Sequence, residues 1–270
     1  WWADCFHRWM LALTAQWMGL NPRYANSVAP ILVSEKQGMG KSTFCRSLLP
    51  PELSAYYTDS LDLSNVAQLE RRLVEMGLLN LDEFDRIPVR RHPALKNILQ
   101  LTDLHIRKAY QRDTRRLPRI ASFIGTSNTR ELLSDPSGSR RFLCVDVVSP
   151  IDSDGIDYTQ VYAQLKAELE QGERYWFTSE DEAAIQQRNT GYYRICPADE
   201  VFSQYFRAAR PDEEGMLCSL AEILSLLRKK FPGALSGIRM QDFSRALVAA
   251  GVERKHTIKG NRYRIVEIPQ

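Results

Sequence analysis

The chain lacks several features that would have decided its class early. It has no apolar run near the roughly 18 residues that a bilayer-spanning helix needs, and its start does not have the layout of a secretory signal. A cytoplasmic setting with no membrane partner is therefore expected. Cysteine is sparse: Cys5, Cys45, Cys144, Cys196 and Cys218 are scattered through 270 residues. No two of them have close metal-ligand spacing, so they read as reduced thiols in a cytosol-like compartment. A one-sided charge is missing too. Lys and Arg number 36 against 33 Asp and Glu, a net +3, which excludes a general polycation and confines nucleic-acid contact to local clusters. No internal repeat, low-complexity tract, metal-ligand cluster or nucleophile triad is evident. A starting Met is absent, and the chain opens inside an amphipathic pattern, as expected of a piece cut from a longer protein.

Hydrophobic residues make up 44%, enough for one large domain and a smaller one. Trp2, Phe6, Trp9, Met10, Leu13 and Trp17 recur at helical spacing, so residues 1–25 form an N-terminal amphipathic segment, with a helix over 2–18. Its tryptophan stripe suits a partner face, but packing on the next domain is the favoured reading. Residues 26–150 alternate strand and helix. Strands are expected at Ser27–Ser34, Tyr56–Tyr57, "LLNLDEFD", Ile120–Thr126 and Arg140–Val148. Helices are expected at Lys41–Leu49, after a Ser64 cap with Gly77 past the end, and at Pro93–Leu101. The pattern predicts an α/β fold, a mostly parallel sheet with helices on both faces. Residues 151–198 form a helical connecting region, with helices near Tyr158–Glu170 and Ser179–Arg188 flanking "RYWF". Residues 199–270 carry helices at Ser219–Phe231 and Arg239–Gly251, then a hairpin turning at Lys259-Gly260-Asn261, the outline of a winged helix.

"ILVSEKQGMGKSTFCRSLLP", Ile31 to Pro50, has the strand–loop–helix context of a phosphate loop. Backbone N–H groups must turn inward at a helix start, and glycines let the chain wrap closely around phosphates. A lysine reaches the β and γ phosphates, and a hydroxyl holds Mg²⁺. Gly38, Met39, Gly40, Lys41, Ser42 and Thr43 form this candidate site, with Lys41 as the cation, Ser42 on the metal and Thr43 set back from it. The usual pattern has another glycine five residues before Gly40, where this chain has Glu35. An ordinary turn containing GKS is the bland alternative.

A bound Mg²⁺ needs a second anchor, and hydrolysis needs a group that activates water. In "LLNLDEFD", Asp82 ends the strand as the metal ligand and Glu83 follows as the general base. Asp85 reads as a solvated loop carboxylate, with an accessory acid as the alternative. "IASFIGTSN" ends at Asn128, whose amide would touch the γ-phosphate and the attacking water. In "DPSGSRRFLCVDV", one of Arg140 and Arg141 is expected to reach a nucleotide across a subunit boundary, and the other to make a structural ion pair. Arg140 is favoured for the first role.

"SEKQGMGKST", "LLNLDEFD", "RIASFIGTSN" and "SGSRRF", in this order and spacing, resemble the virulence-associated protein E family, which is similar to superfamily 3, AAA+-type helicases. The resemblance covers roughly residues 26–148. The tail "DFSRALVAAGVERKHTIKGNRYRIV" also resembles a domain that follows this ATPase in some bacterial proteins. The resemblance implies a P-loop ATPase core using ATP, a homo-oligomeric, hexamer-like ring, a sensor role for Asn128, and a basic hairpin between the acidic and sensor strands. It also implies that a primase-like part often precedes the ATPase.

The hairpin expectation falls on "HIRKAYQRDTRRLPR", His105 to Arg119. Arg107, Lys108, Arg112 and Arg115 would track the phosphates of single-stranded DNA in a pore, and Tyr110 would stack on a base. Arg116 and Arg119 add to the same charge. The alternative is a solvated basic loop. In the C-terminal hairpin, Arg262 and Arg264 share one strand face and offer a second DNA surface, or a protein-docking one. His256 reads as a hairpin side chain. Function then resolves into an ATP-hydrolysing, DNA-dependent motor of mobile-element or phage replication. The alternative is a nucleotide-dependent switch or assembly module that binds partners without translocation. A small-molecule kinase is weaker, because no acceptor pocket is legible.

Overall fold

The computed structural model describes residues 1–20, 24–63, 65–88, 91–107, 114–133, 136–193, 197–230, 238–258 and 260–268. They fall into two compact units. One comprises Trp1–Leu133 and Ser137–Tyr193, the other Ser134–Pro136 with Arg194–Gln270.

In chain order the first unit has strands β1 (Ala29–Val33), β2 (Tyr57–Thr58), β3 (Leu78–Leu81), β4 (Asp103–Arg107), β5 (Thr114–Pro118), β6 (Ser122–Ser127) and β7 (Phe142–Asp146). Its helices are α1 (Trp2–Trp17), α2 (Lys41–Ser47), α3 (Val66–Glu75), α4 (His92–Ile98), α5 (Tyr158–Glu170) and α6 (Ser179–Arg188). Five strands make one sheet in the order β2-β3-β6-β1-β7, each neighbouring pair parallel. β4 and β5 form a separate antiparallel ladder.

Helices cover both faces of the sheet, which is why β1, β3 and β6 are buried along their whole length; β1 is apolar throughout, while β3 carries Asn80 and β6 carries Ser122, Thr126 and Ser127 among apolar residues. The pleat sorts their side chains. Ile31, Val33, Leu79, Leu81 and Phe123 pack with Leu69 and Leu73 of α3 and Leu95 of α4. Leu32, Leu78 and Ile124 pack with Trp9 and Leu13 of α1, Cys45 of α2 and Leu165 of α5. The N-terminal tryptophan stripe belongs to this second layer. Trp9 and Leu13 are fully buried, so packing, not a partner face, accounts for Trp9. α5 and α6 are part of the same unit.

The side chain that caps α3 is that of Asn65, which accepts from the Gln68 N–H at 3.1 Å; Ser64, the expected cap, lies outside the described residues. Gly77 follows just past the end of α3, as expected. A Cβ there would stand 3.1 Å from the Trp17 ring, and the Trp17 Nε1 donates to the Gly77 carbonyl at 3.3 Å. Glycine is placed where a ring approaches the backbone closely.

Arg119 is a larger correction. It is buried and cannot serve a DNA surface. Its guanidinium donates to the carbonyls of Ile98, Leu99 and Leu101, at the end of α4, and to those of Ala121 and Asn26. It caps a helix C-terminus from within the core, with no carboxylate among these partners, and burial pushes its pKa down to about 9. Arg119→Ala is expected to destabilise the first unit by roughly 3–5 kcal/mol, because each orphaned carbonyl costs about 1–3 kcal/mol and only some regain water. Denaturant melts followed by tryptophan fluorescence would check this, and a loss below about 1 kcal/mol would contradict it.

The second unit contains α7 (Pro197–Tyr205), β8 (Phe206–Ala208), β9 (Met216–Cys218), α8 (Leu220–Lys230), α9 (Met240–Ala249), β10 (Glu253–Thr257) and β11 (Gly260–Glu267). Ile223, Leu227, Phe243, Leu247, Tyr263 and Ile265 form its core. β10 and β11 pair antiparallel, the hairpin the sequence predicts, but Thr257 stands opposite Gly260 and His256 opposite Asn261, so Gly260 and Asn261 of the expected turn belong to β11, and Lys259 lies outside the described residues. Gly260 has φ 95°, a left-handed value that glycine tolerates at a tight turn. Among the described residues, no helix is long and apolar enough to cross a membrane.

Candidate functional site

A parallel sheet opens a crevice beyond the carboxyl ends of its strands, and register decides which residues meet there. Val33 of β1 lies beside Ser127 of β6, and Leu81 of β3 beside Gly125. The segments that follow β1, β3 and β6 therefore emerge together, with β6 in the middle.

The segment after β1 turns tightly. Gly38 and Gly40 adopt φ 74° and φ 77°, which a side chain would strain. A Cβ on Gly40 would also meet the Ile151 carbonyl oxygen at 3.0 Å. The Ile151 N–H donates to the Met39 carbonyl at 3.1 Å, so the segment after β7 braces the turn. Met39 itself is buried. The turn delivers Lys41 to the start of α2, where the Phe44 N–H donates to the Gly40 carbonyl at 2.8 Å. Lys41 Nζ is held between the Ser34 carbonyl at 2.8 Å and Asn128 Oδ1 at 3.0 Å. Burial lowers its pKa from the ordinary lysine value, and the nearby Asp85 and Asp82 carboxylates oppose that fall. Ser42 faces the crevice, while Thr43 is exposed one position further on.

The segment after β3 supplies the acids. Asp82 Oδ1 accepts from Ser42 Oγ at 3.0 Å and from Thr126 Oγ1 at 2.6 Å. Glu83 has φ 50° and is the only described non-glycine residue with positive φ. Its N–H donates to Thr126 Oγ1 at 3.2 Å, and its Oε2 takes an ion pair from Arg86 at 2.6 Å. Phe84 turns the other way, fully buried and edge-on to Phe142 with ring centroids 4.8 Å apart. The short turn Phe84–Arg86 then brings Asp85 back to the tip of β6. There its Oδ1 accepts from Ser127 Oγ at 3.0 Å and from the Asn128 N–H at 3.2 Å. The expectation of a solvated loop carboxylate is thus wrong for Asp85.

The structure brings together Gly38, Gly40, Lys41, Ser42, Asp82, Glu83 and Asn128. It adds Ser34, Thr126 and Ser127, which the sequence reading passed over, and Asp85, which that reading placed in solvent. Their signal was weak: hydroxyls at a strand tip and an acid three residues after another. Ser42 Oγ and Asp82 Oδ1 fit a single Mg²⁺, which takes few protein ligands and completes its shell with phosphate oxygens and water. Among the described residues, no group of three or more His, Cys, Asp or Glu could hold a metal alone.

The other candidates lie elsewhere. Arg140 and Arg141 close the turn Pro136–Arg141 before β7. Arg140 Nε lies 3.2 Å from Glu182 Oε2 of α6. Arg141 is half-buried, and its pKa is lowered by that burial and by the Arg140 charge. Lys108, Tyr110 and Arg112 lie outside the described residues. Arg107 ends β4, and Arg115 is exposed on β5, where it pairs in register with Ile106. Arg116 makes a two-pronged bond to Asp103, at 2.9 and 2.8 Å. In the second unit, Arg262 pairs with Glu222 at 2.6 Å. Arg264 lies 3.6 Å from Glu253, its cross-strand neighbour, and also donates to the Glu213 carbonyl. His256 shares a 2.9 Å hydrogen bond with Asn261, in keeping with a hairpin role.

Comparison with known proteins bears on both units. Solved apo structures of the NrS-1 C-terminal region (305–718) cover 98% of this chain and 71% of their own, at 13% identity and a TM-score of 0.44. A further A-form apo structure of the NrS-1 C-terminal region gives the same identity and coverage with a TM-score of 0.42. No curated protein matches the chain. Residues 195–265 match a domain of unknown function from B. Theta (DUF3874). Residues 3–194 match the virulence-associated protein E-like domain, which spans the whole sheet and the crevice, and the chain belongs to that family.

Proposed function

We propose that the chain is an ATP-hydrolysing, DNA-dependent motor, and that the crevice beyond β1, β3 and β6 is its nucleotide site. The observation that carries this reading is the convergence of two contacts: Ser42 with Asp82 at 3.0 Å, and Lys41 with Asn128 at 3.0 Å. A glycine turn alone is common. A buried lysine, a hydroxyl and a carboxylate set around one crevice is the donor set that a magnesium triphosphate requires.

In this reading the turn amides of Gly38 to Lys41 receive phosphate oxygens, and Lys41 Nζ exchanges its present acceptors for the β and γ phosphates. Ser42 and Asp82 hold Mg²⁺, which when bound supplies charge neutralisation to the phosphates. Glu83 accepts a proton from the attacking water at a carboxylate oxygen, which requires release from Arg86. Asn128 orients that water through its amide. Arg140 leaves Glu182 to meet the nucleotide of a neighbouring subunit in a hexamer-like ring, where it stabilises charge on the transferring group. Arg107 of β4 and Arg115 of β5, together with Lys108, Tyr110 and Arg112 between them in sequence, line the pore and track single-stranded DNA. The second unit acts as a winged helix, with Arg262 and Arg264 as a further DNA surface. The reading extends to an upstream primase-like part and a role in mobile-element or phage replication.

The internal pairing of Arg116, Arg262 and Arg264, with burial of Arg119, favours a second reading, in which the same nucleotide site drives a switch or assembly step without DNA translocation. Phosphate release by the 270-residue chain, with and without single-stranded DNA, separates the two. The motor reading expects stimulated turnover and a salt-sensitive mobility shift. Turnover that stays flat as DNA is added, with no shift, would favour the switch.

A further inference from the structure

We infer that Asp85 is a positioning residue for Asn128 and fixes the amide that faces Lys41. This inference rests on the nucleotide-site reading and extends it to a carboxylate outside the usual lysine, metal-ligand and base set.

Asp85 is placed by the backbone around it. Glu83 in the left-handed region reverses the chain after β3, and Phe84 anchors the turn in the core against Phe142. With Phe84 fixed inward, the next side chain returns across the sheet edge to β6. One oxygen, Asp85 Oδ1, accepts from both Ser127 Oγ and the Asn128 N–H. The Ser127 hydroxyl has a single proton, shared between Asp85 Oδ1 and the Thr129 carbonyl at 2.7 Å, and its oxygen accepts from the Thr129 N–H at 3.2 Å. The strand tip on either side of Asn128 is therefore tied down, and its backbone N–H is held by Asp85. The Asn128 side chain then has a set origin from which Oδ1 meets Lys41 Nζ at 3.0 Å. A catalytic amide displaced by even 1 Å loses much of its effect, so a group that fixes the origin controls turnover without touching substrate.

The test combines amide exchange with a double-mutant cycle. In the nucleotide-free 270-residue chain, Asp85→Ala is expected to accelerate hydrogen exchange at the Asn128 N–H at least ~10-fold, the scale of losing one charge-assisted bond. Asp85→Asn keeps an acceptor oxygen and is expected to restore most of the protection. Unchanged exchange at Asn128 in Asp85→Ala overturns the inference, whether or not the chain hydrolyses ATP. In turnover, Asp85→Ala is expected to lower kcat by roughly 10-fold or more with KM for ATP nearly constant. The same substitution in an Asn128→Ala background should cost little further, because the two act as one unit. Full additivity of the two losses contradicts the inference. A wild-type chain with no more turnover than Lys41→Ala would instead defeat the nucleotide-site reading and leave the exchange result to decide on Asp85.

Discussion

Lys41→Ala is expected to reduce ATP turnover at least ~10²-fold, the scale of losing one preorganised donor to developing charge, and to weaken nucleotide binding as well. The reason is local. Lys41 is buried at the start of α2, and its ammonium spans the gap between the Ser34 carbonyl and Asn128 Oδ1. Those acceptors hold it where phosphates would arrive, so alanine removes both the charge and the link to the β6 tip. Lys41→Arg would not rescue, because a planar fork does not occupy a pocket shaped for a compact ammonium. Phosphate release and nucleotide titration, with melting curves to verify folding, provide the measurement. Turnover equal to wild type in a folded variant would remove the loop from the chemistry.

That lysine was legible in the sequence because its neighbours leave few alternatives. An apolar strand, two glycines and a short helix constrain Lys41 and Ser42 to one location, and an acid ending the next apolar strand must emerge at the same edge of a parallel sheet. The sheet itself was legible for the same reason: continuous apolar runs such as Ala29–Val33 are buried on both faces. Other features depended on contacts far apart in the chain. Thr126 bridges Asp82 and the Glu83 backbone across 44 and 43 positions, and nothing in "GTSN" distinguishes it from Ser127. Arg119 carries a charge that suggests solvent, yet its partners are carbonyls at the end of α4 and at Asn26. Alternation placed Arg262 and Arg264 on one strand face. It could not show that Glu222 lies beside Arg262, because that glutamate belongs to α8, 40 residues earlier.

Glu83→Gln separates binding from bond cleavage, and it should leave ATP bound while slowing its hydrolysis by about 10²–10⁴-fold, the usual contribution of a general base. Glutamine preserves side-chain length and shape, and it keeps the residue in its left-handed conformation at φ 50°. Such a conformation costs a non-glycine residue about 1–3 kcal/mol, a cost common to both proteins that cancels in the comparison. What changes is the capacity to take a proton and the ion pair with Arg86, which holds Oε2 at 2.6 Å. Loss of that pair alone would matter little to stability, since both side chains are substantially exposed. Single-turnover cleavage of bound ATP reports on the proton-accepting role, and equilibrium binding reports on the rest of the site. Normal cleavage in Glu83→Gln would assign the base elsewhere. Loss of binding with cleavage would mean that Glu83 holds the crevice together through its contact with Arg86. A bound but uncleaved nucleotide would leave proton transfer as the one step removed, with Lys41, Ser42 and Asp82 still able to grip the triphosphate.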